Sequence, residues 1–313
     1  MENNLQISLQ GHLGVITLDR ASHLNALSLS MIHGISQQLE QWREDDRVQA
    51  VLINSNSPKA FCAGGDIRFL YDSYQNGTAN YQRYFADEYH MLKSLRQYAK
   101  PVLVFLDGYV LGGGFGLAQA CQIIVSSEKS RFAMPETAIG FFPDVGATHF
   151  LSRLDAMGVY MAVTGEQISS SDALYLDLID YLVPSEQLQQ LQTELGHAAQ
   201  LTQQSIEQTI ARYLKEPAPS ELKQYEDAIR QHFSHAELAQ IEDSLANTLD
   251  SDYMDWAEKI LANLQQRSLL AKQISLKLQH VGRGLSLEQC MQLERDLQDI
   301  WFEQGDMIEG VRA

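Results

Sequence analysis

A chain of 313 residues with 45% hydrophobic content can bury one large core, either as a single domain or as a domain with an appendage. Its net charge of −17 repels phosphate backbones and anionic membrane surfaces, so neither nucleic acid nor a membrane is expected as a partner. No apolar run reaches membrane-spanning length. Cys62, Cys121 and Cys290 stand far apart with no CxxC or Cys/His cluster, and read as buried reduced thiols rather than as a nucleophile or a zinc site. The opening MENNLQISLQ is neither basic nor apolar and looks like neither a secretory signal nor a transit peptide. A cytoplasmic location and no bound metal are expected.

In chain order, residues 5–19 alternate between apolar and polar and are broken at Gly11-His12, which predicts a β-hairpin. Met31, Ile32, Ile35, Leu39 and Trp42 recur at helical spacing, and Val48–Ile53 reads as the next strand. The loop at 54–66 is rich in Asn, Ser, Pro and Gly. It ends in Ala63-Gly64-Gly65-Asp66, with Asp66 placed to cap the helix that follows. After the Asn76-Gly77 turn, a helix resumes near Tyr81 and runs up to Pro101. Strand candidates Val102–Leu106, Ile123–Val125 and Ile179–Val183 alternate with helical stretches at 117–120, 147–154 and 159–164. That alternation implies a mostly parallel sheet covered by helices. Beyond Pro184 the strand signal stops, and Gln, Glu and Leu dominate at helical spacing. Two regions are therefore expected: an α/β core at 1–184 and a helical region at 185–313 that packs on the core by amphipathic faces.

Two constellations carry chemistry. Glycine-rich turns precede helices at Ala63-Gly64-Gly65-Asp66 and at Gly112-Gly113-Gly114. Unpaired N–H groups at a helix start sit at the positive end of the dipole, and glycine lets a ligand oxygen approach them closely. Two such donors aimed at one point make an oxyanion hole; the competing reading is that the glycines only permit close helix–strand contact. Neither turn has the context of a nucleotide-phosphate loop. The second constellation is a pair of carboxylates eight residues apart, Glu136 in Met-Pro-Glu-Thr and Asp144 in Phe-Phe-Pro-Asp-Val-Gly. An acid among Phe, Met and Pro is costly to bury and points to chemistry. The structural alternatives are an N-cap for Asp144 and a loop salt bridge with Lys129 or Arg131 for Glu136. Glu88, in Asp87-Glu88-Tyr89, reads by itself as a solvated surface acid, and His149 as an ordinary helix histidine.

Together, in order, these pieces resemble the crotonase (enoyl-CoA hydratase/isomerase) superfamily. KAFCAGGDIR at 59–68 and MPETAIGFFPDVG at 134–146 resemble its 3-hydroxyisobutyryl-CoA hydrolase branch. NALS at 25–28, DEYHML at 87–92, LGGGFGL at 111–117, GLSLEQCMQLERDL at 284–297 and EGVRA at 309–313 extend the likeness over most of the chain. The resemblance implies a crotonase-like spiral of ββα units with a C-terminal helical region that shorter crotonases lack. It also implies an acyl-CoA substrate, no cofactor beyond the coenzyme A carried by that substrate, and a fold that often forms homo-oligomers. The thioester carbonyl would sit between the N–H groups of Gly65 and Gly113. The adenine end would lie near Asn25-Ala26-Leu27 and Ala63, with Asp66 among the substrate-binding residues, and Glu88 would line the acyl pocket. Glu136 and Asp144 match the two acids of the hydrolase branch.

Position 116 separates the reactions. Hydratases carry a glutamate there, two residues past the glycine triplet, and this chain has Gly116, which disfavours hydration. The alternatives are a dienoyl-CoA isomerase, with acids at the same spacing, another enoyl-CoA hydratase/isomerase activity, and a silent crotonase-fold binding subunit. The expected substrate is 3-hydroxyisobutyryl-CoA, with 3-hydroxypropionyl-CoA second, in valine breakdown. Asp144, opening a helix, is expected to stay ionised because the dipole favours its charge, and Glu136 to be the more desolvated acid with the more raised pKa. Glu136 is thus expected as base or nucleophile and Asp144 as the orienting acid. The family usually continues past Ala313 with an acidic tail, so an extension of the natural chain there is left open.

Overall fold

The computed structural model describes residues 4–312; residues 1–3 of the opening stretch and the last residue of EGVRA lie outside them. The expected hairpin is Leu5–Gln10 (β1) against Leu13–Leu18 (β2), with Leu5 opposite Leu18. Leu29–Arg43 (α1) starts where the Ser28 hydroxyl accepts from the Met31 N–H, and buries Met31, Ile32, Ile35, Leu39 and Trp42. The next elements are Ala50–Ser55 (β3), Ala60–Cys62 (β4), Ile67–Gln75 (α2) and Asn80–Arg96 (α3). They lead to Val102–Leu106 (β5), Tyr109–Leu111 (β6), Gly113–Gln119 (α4), Ile123–Ser126 (β7) and Arg131–Ala133 (β8). Then come Ala147–Phe150 (α5), Ala156–Thr164 (α6), Ile168–Ser169 (β9), Ser170–Tyr175 (α7) and Tyr181–Leu182 (β10).

The strands form two sheets. One has six strands in the order β1-β2-β3-β5-β7-β10, parallel except for the first pair; the other has four, in the order β4-β6-β8-β9. Three times in succession the chain lays one strand in the larger sheet, the next in the smaller sheet, and then turns into helix: β3-β4-α2, β5-β6-α4, β7-β8 and the helices after it. This is the expected ββα repeat. The smaller sheet is absent from the sequence pattern because strands of two or three residues cannot show alternation.

After β10 the described chain holds only helices and loops. Leu188–His197 (α8) and Gln203–Ile210 (α9) come first, then Glu221–Gln224 (α10), Glu226–Phe233 (α11), Leu238–Ala246 (α12) and Met254–Gln265 (α13). Leu269–Gly282 (α14), Leu287–Gln304 (α15) and Met307–Arg312 (α16) complete it. Among the described residues no helix is long and apolar enough to cross a membrane.

By compactness the chain groups into two units that interleave in sequence. The first holds the chain up to Asp66, Ala86–Phe132 and Ile168–Ser220; the second holds Ile67–Phe85, Ala133–Gln167 and the chain from Glu221 on. In the first unit, every second residue of the larger sheet points to one face: Leu13 and Val15, Ala50 and Leu52, Leu103 and Phe105, Ile123 and Val125. Leu191 and Leu195 of α8 and Ile206 and Ile210 of α9 cover that face. In the second unit α6 is apolar and buried on all sides, against α11, α13 and α14. An aromatic cluster in the same unit joins Tyr81 and Phe85 to Phe302, with ring centroids 4.4 and 5.9 Å apart, and Phe142 to Trp301 at 5.0 Å.

Candidate active site

In the first unit, residues 24–27 run beside residues 63–66. The Leu27 N–H donates to the Gly64 carbonyl at 2.8 Å, the Asp66 N–H to the Leu27 carbonyl at 3.0 Å, and the Ala63 N–H to the Leu24 carbonyl at 3.0 Å. Ala26, Leu27, Ala63 and Asp66 are thereby brought into one ribbon. Asn25 holds it. Its fully buried amide accepts from the Arg20 N–H at 2.7 Å and donates to the Ser55 hydroxyl at 2.6 Å and the Phe61 carbonyl at 3.1 Å. The Arg20 guanidinium donates to the Ala26 carbonyl at 3.0 Å and pairs with the Asp66 carboxylate at 2.8 Å. Arg20 and the structural role of Asn25 were not legible in the sequence.

Gly64 reaches φ 110°, a backbone that glycine adopts without strain, and turns the ribbon toward the start of α4. There Gly112 is the N-cap and Gly113 the first helical residue. A Cβ placed on Gly113 would lie 3.2 Å from the Gly65 nitrogen and 3.0 Å from Glu88 Oε1. Gly65, Gly113 and Glu88 therefore meet at one point. Glu88 is not the solvated acid its local sequence suggests: it is 2% exposed. Its neighbour Asp87 pairs with His33 at 2.6 Å on the more open side of α3.

The second unit holds the other two acids. Glu136 is buried and opens a single 3-10 turn, Glu136–Ile139. Gly140 closes the turn at φ 69°, where a Cβ would strike the Asp306 carbonyl at 2.6 Å. Trp301 Nε1 donates to the Gly140 carbonyl at 2.9 Å, so α15 fastens this loop. The cations nearest in sequence bond elsewhere, Lys129 to the Ser185 hydroxyl at 2.8 Å and Arg131 to the Ser130 carbonyl at 2.8 Å. At position 116 a buried glycine stands inside α4, with no carboxylate to share water activation.

Asp144 departs from expectation. It is buried, but it does not cap a helix: α5 is four residues long and its N-cap is Gly146. The donors at the turn go to a different acid. Glu294 of α15 accepts from the Gly146 N–H and the Thr148 N–H, both at 2.8 Å. Val145, just before them, sits at φ 52°, a conformation that costs a β-branched residue about 1–3 kcal/mol. The Asp144 carboxyl instead accepts from Gln298 Nε2, its Oδ2 lying 2.5 Å away. Burial first, and the Glu294 carboxylate second, push Asp144 up to about 8; the Gln298 bond, a bond from the Asp144 backbone N–H, and Arg295 pull back only part of this. Burial and the Glu294 carboxylate thus oppose the ionisation expected of Asp144. Its supposed dipole is one short turn whose N–H groups are already spent on Glu294. Glu294 takes two backbone donors, the arrangement suited to a charged acceptor.

Glu294 and Gln298 escaped the sequence reading. A signal for them exists: α15 buries a stripe at Cys290, Glu294, Gln298, Trp301 and Phe302, and two polar residues on an otherwise apolar stripe need partners.

Residues 13–313 match the family model described as enoyl-CoA hydratase/isomerase. The 3-hydroxyisobutyryl-CoA hydrolase, mitochondrial, of Xenopus laevis is 36% identical over 309 residues, covering 97% of this chain and 79% of the relative. Its Homo sapiens counterpart is 32% identical over 310 residues, with the same coverage of both chains. Among solved structures, a carnitinyl-CoA dehydratase from Mycobacterium thermoresistibile superposes with a TM-score of 0.92 at 27% identity. An enoyl-CoA hydratase from Rhodobacter sphaeroides does so with a TM-score of 0.89 at 30% identity; each comparison covers 99% of this chain and 89% of the other. By sequence over nearly its whole length, and by fold, the chain belongs to the enoyl-CoA hydratase/isomerase (crotonase) family.

Proposed function

We propose that this chain hydrolyses the thioester of a short β-hydroxyacyl-CoA, 3-hydroxyisobutyryl-CoA first and 3-hydroxypropionyl-CoA second, in valine breakdown. The observation that carries the reading is Gly116, buried in α4 where a hydratase would need its second glutamate. The names of the relatives that match along the whole chain support it. Hydration is the second reading, since the solved structures of the same fold are described as a dehydratase and a hydratase.

The roles follow from the chemistry of each group. The N–H groups of Gly65 and Gly113 receive the carbonyl oxygen as it gains charge. Glu136 either takes a proton from the attacking water or attacks the carbonyl carbon itself. In the second case the C–S bond breaks, the CoA thiolate leaves, and water opens the resulting mixed anhydride to the free acid and the Glu136 carboxylate. The thiolate is a good leaving group and needs little protonation, so Asp144 is free for another task. As a neutral acid it donates a hydrogen bond to the substrate's 3-hydroxyl or to the attacking water. Glu88 lines the acyl end, and the ribbon of Ala26, Leu27, Ala63 and Asp66 takes the adenine end. We favour the anhydride.

Thiol release from a panel of short acyl-CoAs tests the reading. The result expected is fastest release from 3-hydroxyisobutyryl-CoA; crotonyl-CoA hydration at an equal rate would overturn it, and no release from any thioester would leave a binding subunit. A single turnover in ¹⁸O-water, with mass spectrometry of the Glu136 peptide and hydroxylamine trapping, separates anhydride from water attack. Glu136→Gln with full activity removes both. A cytoplasmic location is part of the proposal. The relatives are mitochondrial by name, and fractionation of source cells decides between the two.

A further inference from the structure

One face of α15 grips the turn that carries Asp144 at two points. Glu294 grips its backbone at Gly146 and Thr148, and Gln298, one helical turn on, grips the Asp144 side chain. The orientation of the Gln298 amide is fixed by chemistry. Arg295 Nη1 lies 2.9 Å from Gln298 Oε1, and a guanidinium can only donate, so the oxygen of the amide faces Arg295 and its nitrogen faces Asp144. Arg295 is itself steadied by the Asp299 carboxylate at 3.5 Å. A run of donors thus passes from Arg295 through Gln298 to Asp144 Oδ2. Gln298 is almost fully buried beside Cys290 and Trp301 on the same stripe, where an apolar side chain would fill the space without the cost of desolvating an amide.

We infer that Gln298 is a positioning residue for the hydrolysis: oriented by Arg295, it fixes Asp144 Oδ2 as the accepting oxygen and makes Oδ1 the oxygen that carries the proton. The inference rests on the thioester-hydrolase reading and adds to it the device that sets which oxygen of Asp144 donates. The charged groups around the Asp144 carboxyl on α15 act in opposite senses, Glu294 against its ionisation and Arg295 for it.

Gln298→Leu removes the donor and keeps similar bulk. The expected result is a kcat lower by roughly tenfold to a hundredfold, because the donating oxygen is no longer fixed, with KM little changed. The Gln298 bond favours ionised Asp144, so its loss raises the carboxyl further, and the alkaline limb of the kcat profile moves to higher pH. In an Asp144→Ala background the same change should cost nothing more, since it acts through Asp144. A merely structural role would lower the yield of folded enzyme and leave both the limb and the additivity untouched. A kcat within twofold of wild type with an unmoved limb, or an additive loss beside Asp144→Ala, overturns the inference. Should Gln298→Leu fail to fold, Arg295→Met leaves Gln298 in place but frees its amide to turn. The same directions are then expected at smaller size, and no change overturns the inference. If the wild type releases no thiol, the hydrolase reading fails separately. The positioning is then read by ¹³C titration of the Asp144 carboxyl, assigned with Asp144→Asn: an upward shift in Gln298→Leu supports it and an unshifted carboxyl refutes it.

Discussion

Gly113→Ala is the most direct probe of the donor pair. The added methyl would stand 3.2 Å from the Gly65 nitrogen, 3.0 Å from Glu88 Oε1 and 3.4 Å from the Gly64 carbonyl carbon. Two of these are tighter than ordinary contact, so the Gly65 amide must retreat by a few tenths of an ångström or Glu88 must swing aside. An oxyanion donor works at about 2.7–3.1 Å, and removing one costs roughly 10²–10³ in kcat, or about 2.7–4 kcal/mol. Displacement rather than removal places Gly113→Ala near the lower end, at roughly a hundredfold. The Gly113 N–H remains and the contact is at the edge of the tolerable, so the fold should survive. Gly114→Ala makes the contrast: its methyl would strike the Cys62 carbonyl oxygen at 2.4 Å and the Cys62 Cβ at 2.6 Å, which is framework that cannot give way. The assay is thiol release at saturating 3-hydroxyisobutyryl-CoA, with thermal melting on the same samples. Gly113→Ala should lose kcat and keep its Tm, and Gly114→Ala should lose Tm. A Gly113→Ala enzyme with wild-type Tm and a kcat within threefold of wild type would refute the assignment of this point to the oxyanion.

Asp144 also gives stability a pH dependence. Its carboxyl is raised on folding from 3.8 to about 8, so between those values the folded chain holds a proton that the unfolded chain has released. Stability should therefore fall as pH rises through that window, by at most about 1.4 kcal/mol per pH unit, and level off above it. Asp144→Asn should flatten the curve in urea unfolding, and parallel curves would count against the raised carboxyl. Asn25→Ala strands the Arg20 N–H and the Phe61 carbonyl and places alanine at φ 56°, and should cost about 2–4 kcal/mol of unfolding free energy. A loss below about 1 kcal/mol would mean that water replaces the amide. The three cysteines are free and buried, with burial pushing Cys62 up to about 12, so native protein should consume almost no thiol reagent until denatured. Rapid titration of even one thiol in native buffer would contradict that burial.

Local pattern carried the hairpin, α1, the strands of the larger sheet and the helical character after Pro184, because each has enough residues to show a period. The smaller sheet has strands too short for any period. Gly65 and Gly113 were legible because a tight approach leaves a mark in composition. Local sequence alone misleads at Glu88 and Asp144 for one shared reason: it shows an acid's neighbours along the chain, and what decides its state lies elsewhere. Glu88 faces away from Asp87 toward Gly113. Asp144 owes its raised carboxyl first to burial and then to Glu294, and finds its hydrogen-bond donor in Gln298, both of them roughly 150 residues further on.

The interleaving of the two units has a cost during synthesis. Tyr81 and Phe85 belong to a cluster whose central ring, Phe302, is made roughly 220 residues later. At about 5–20 residues per second, those aromatic faces wait some ten to forty seconds on the ribosome for Phe302, with Tyr74, Tyr84 and Phe141 as the rings made before it. The larger sheet, by contrast, closes once β10 has emerged. A nascent chain stalled near residue 220 would hold a nearly finished first unit together with an aromatic segment at 67–85 that still lacks Phe302. That segment is where a chaperone would bind and where truncated chains would aggregate. Shortening the C-terminus should therefore damage solubility before it disturbs the strands.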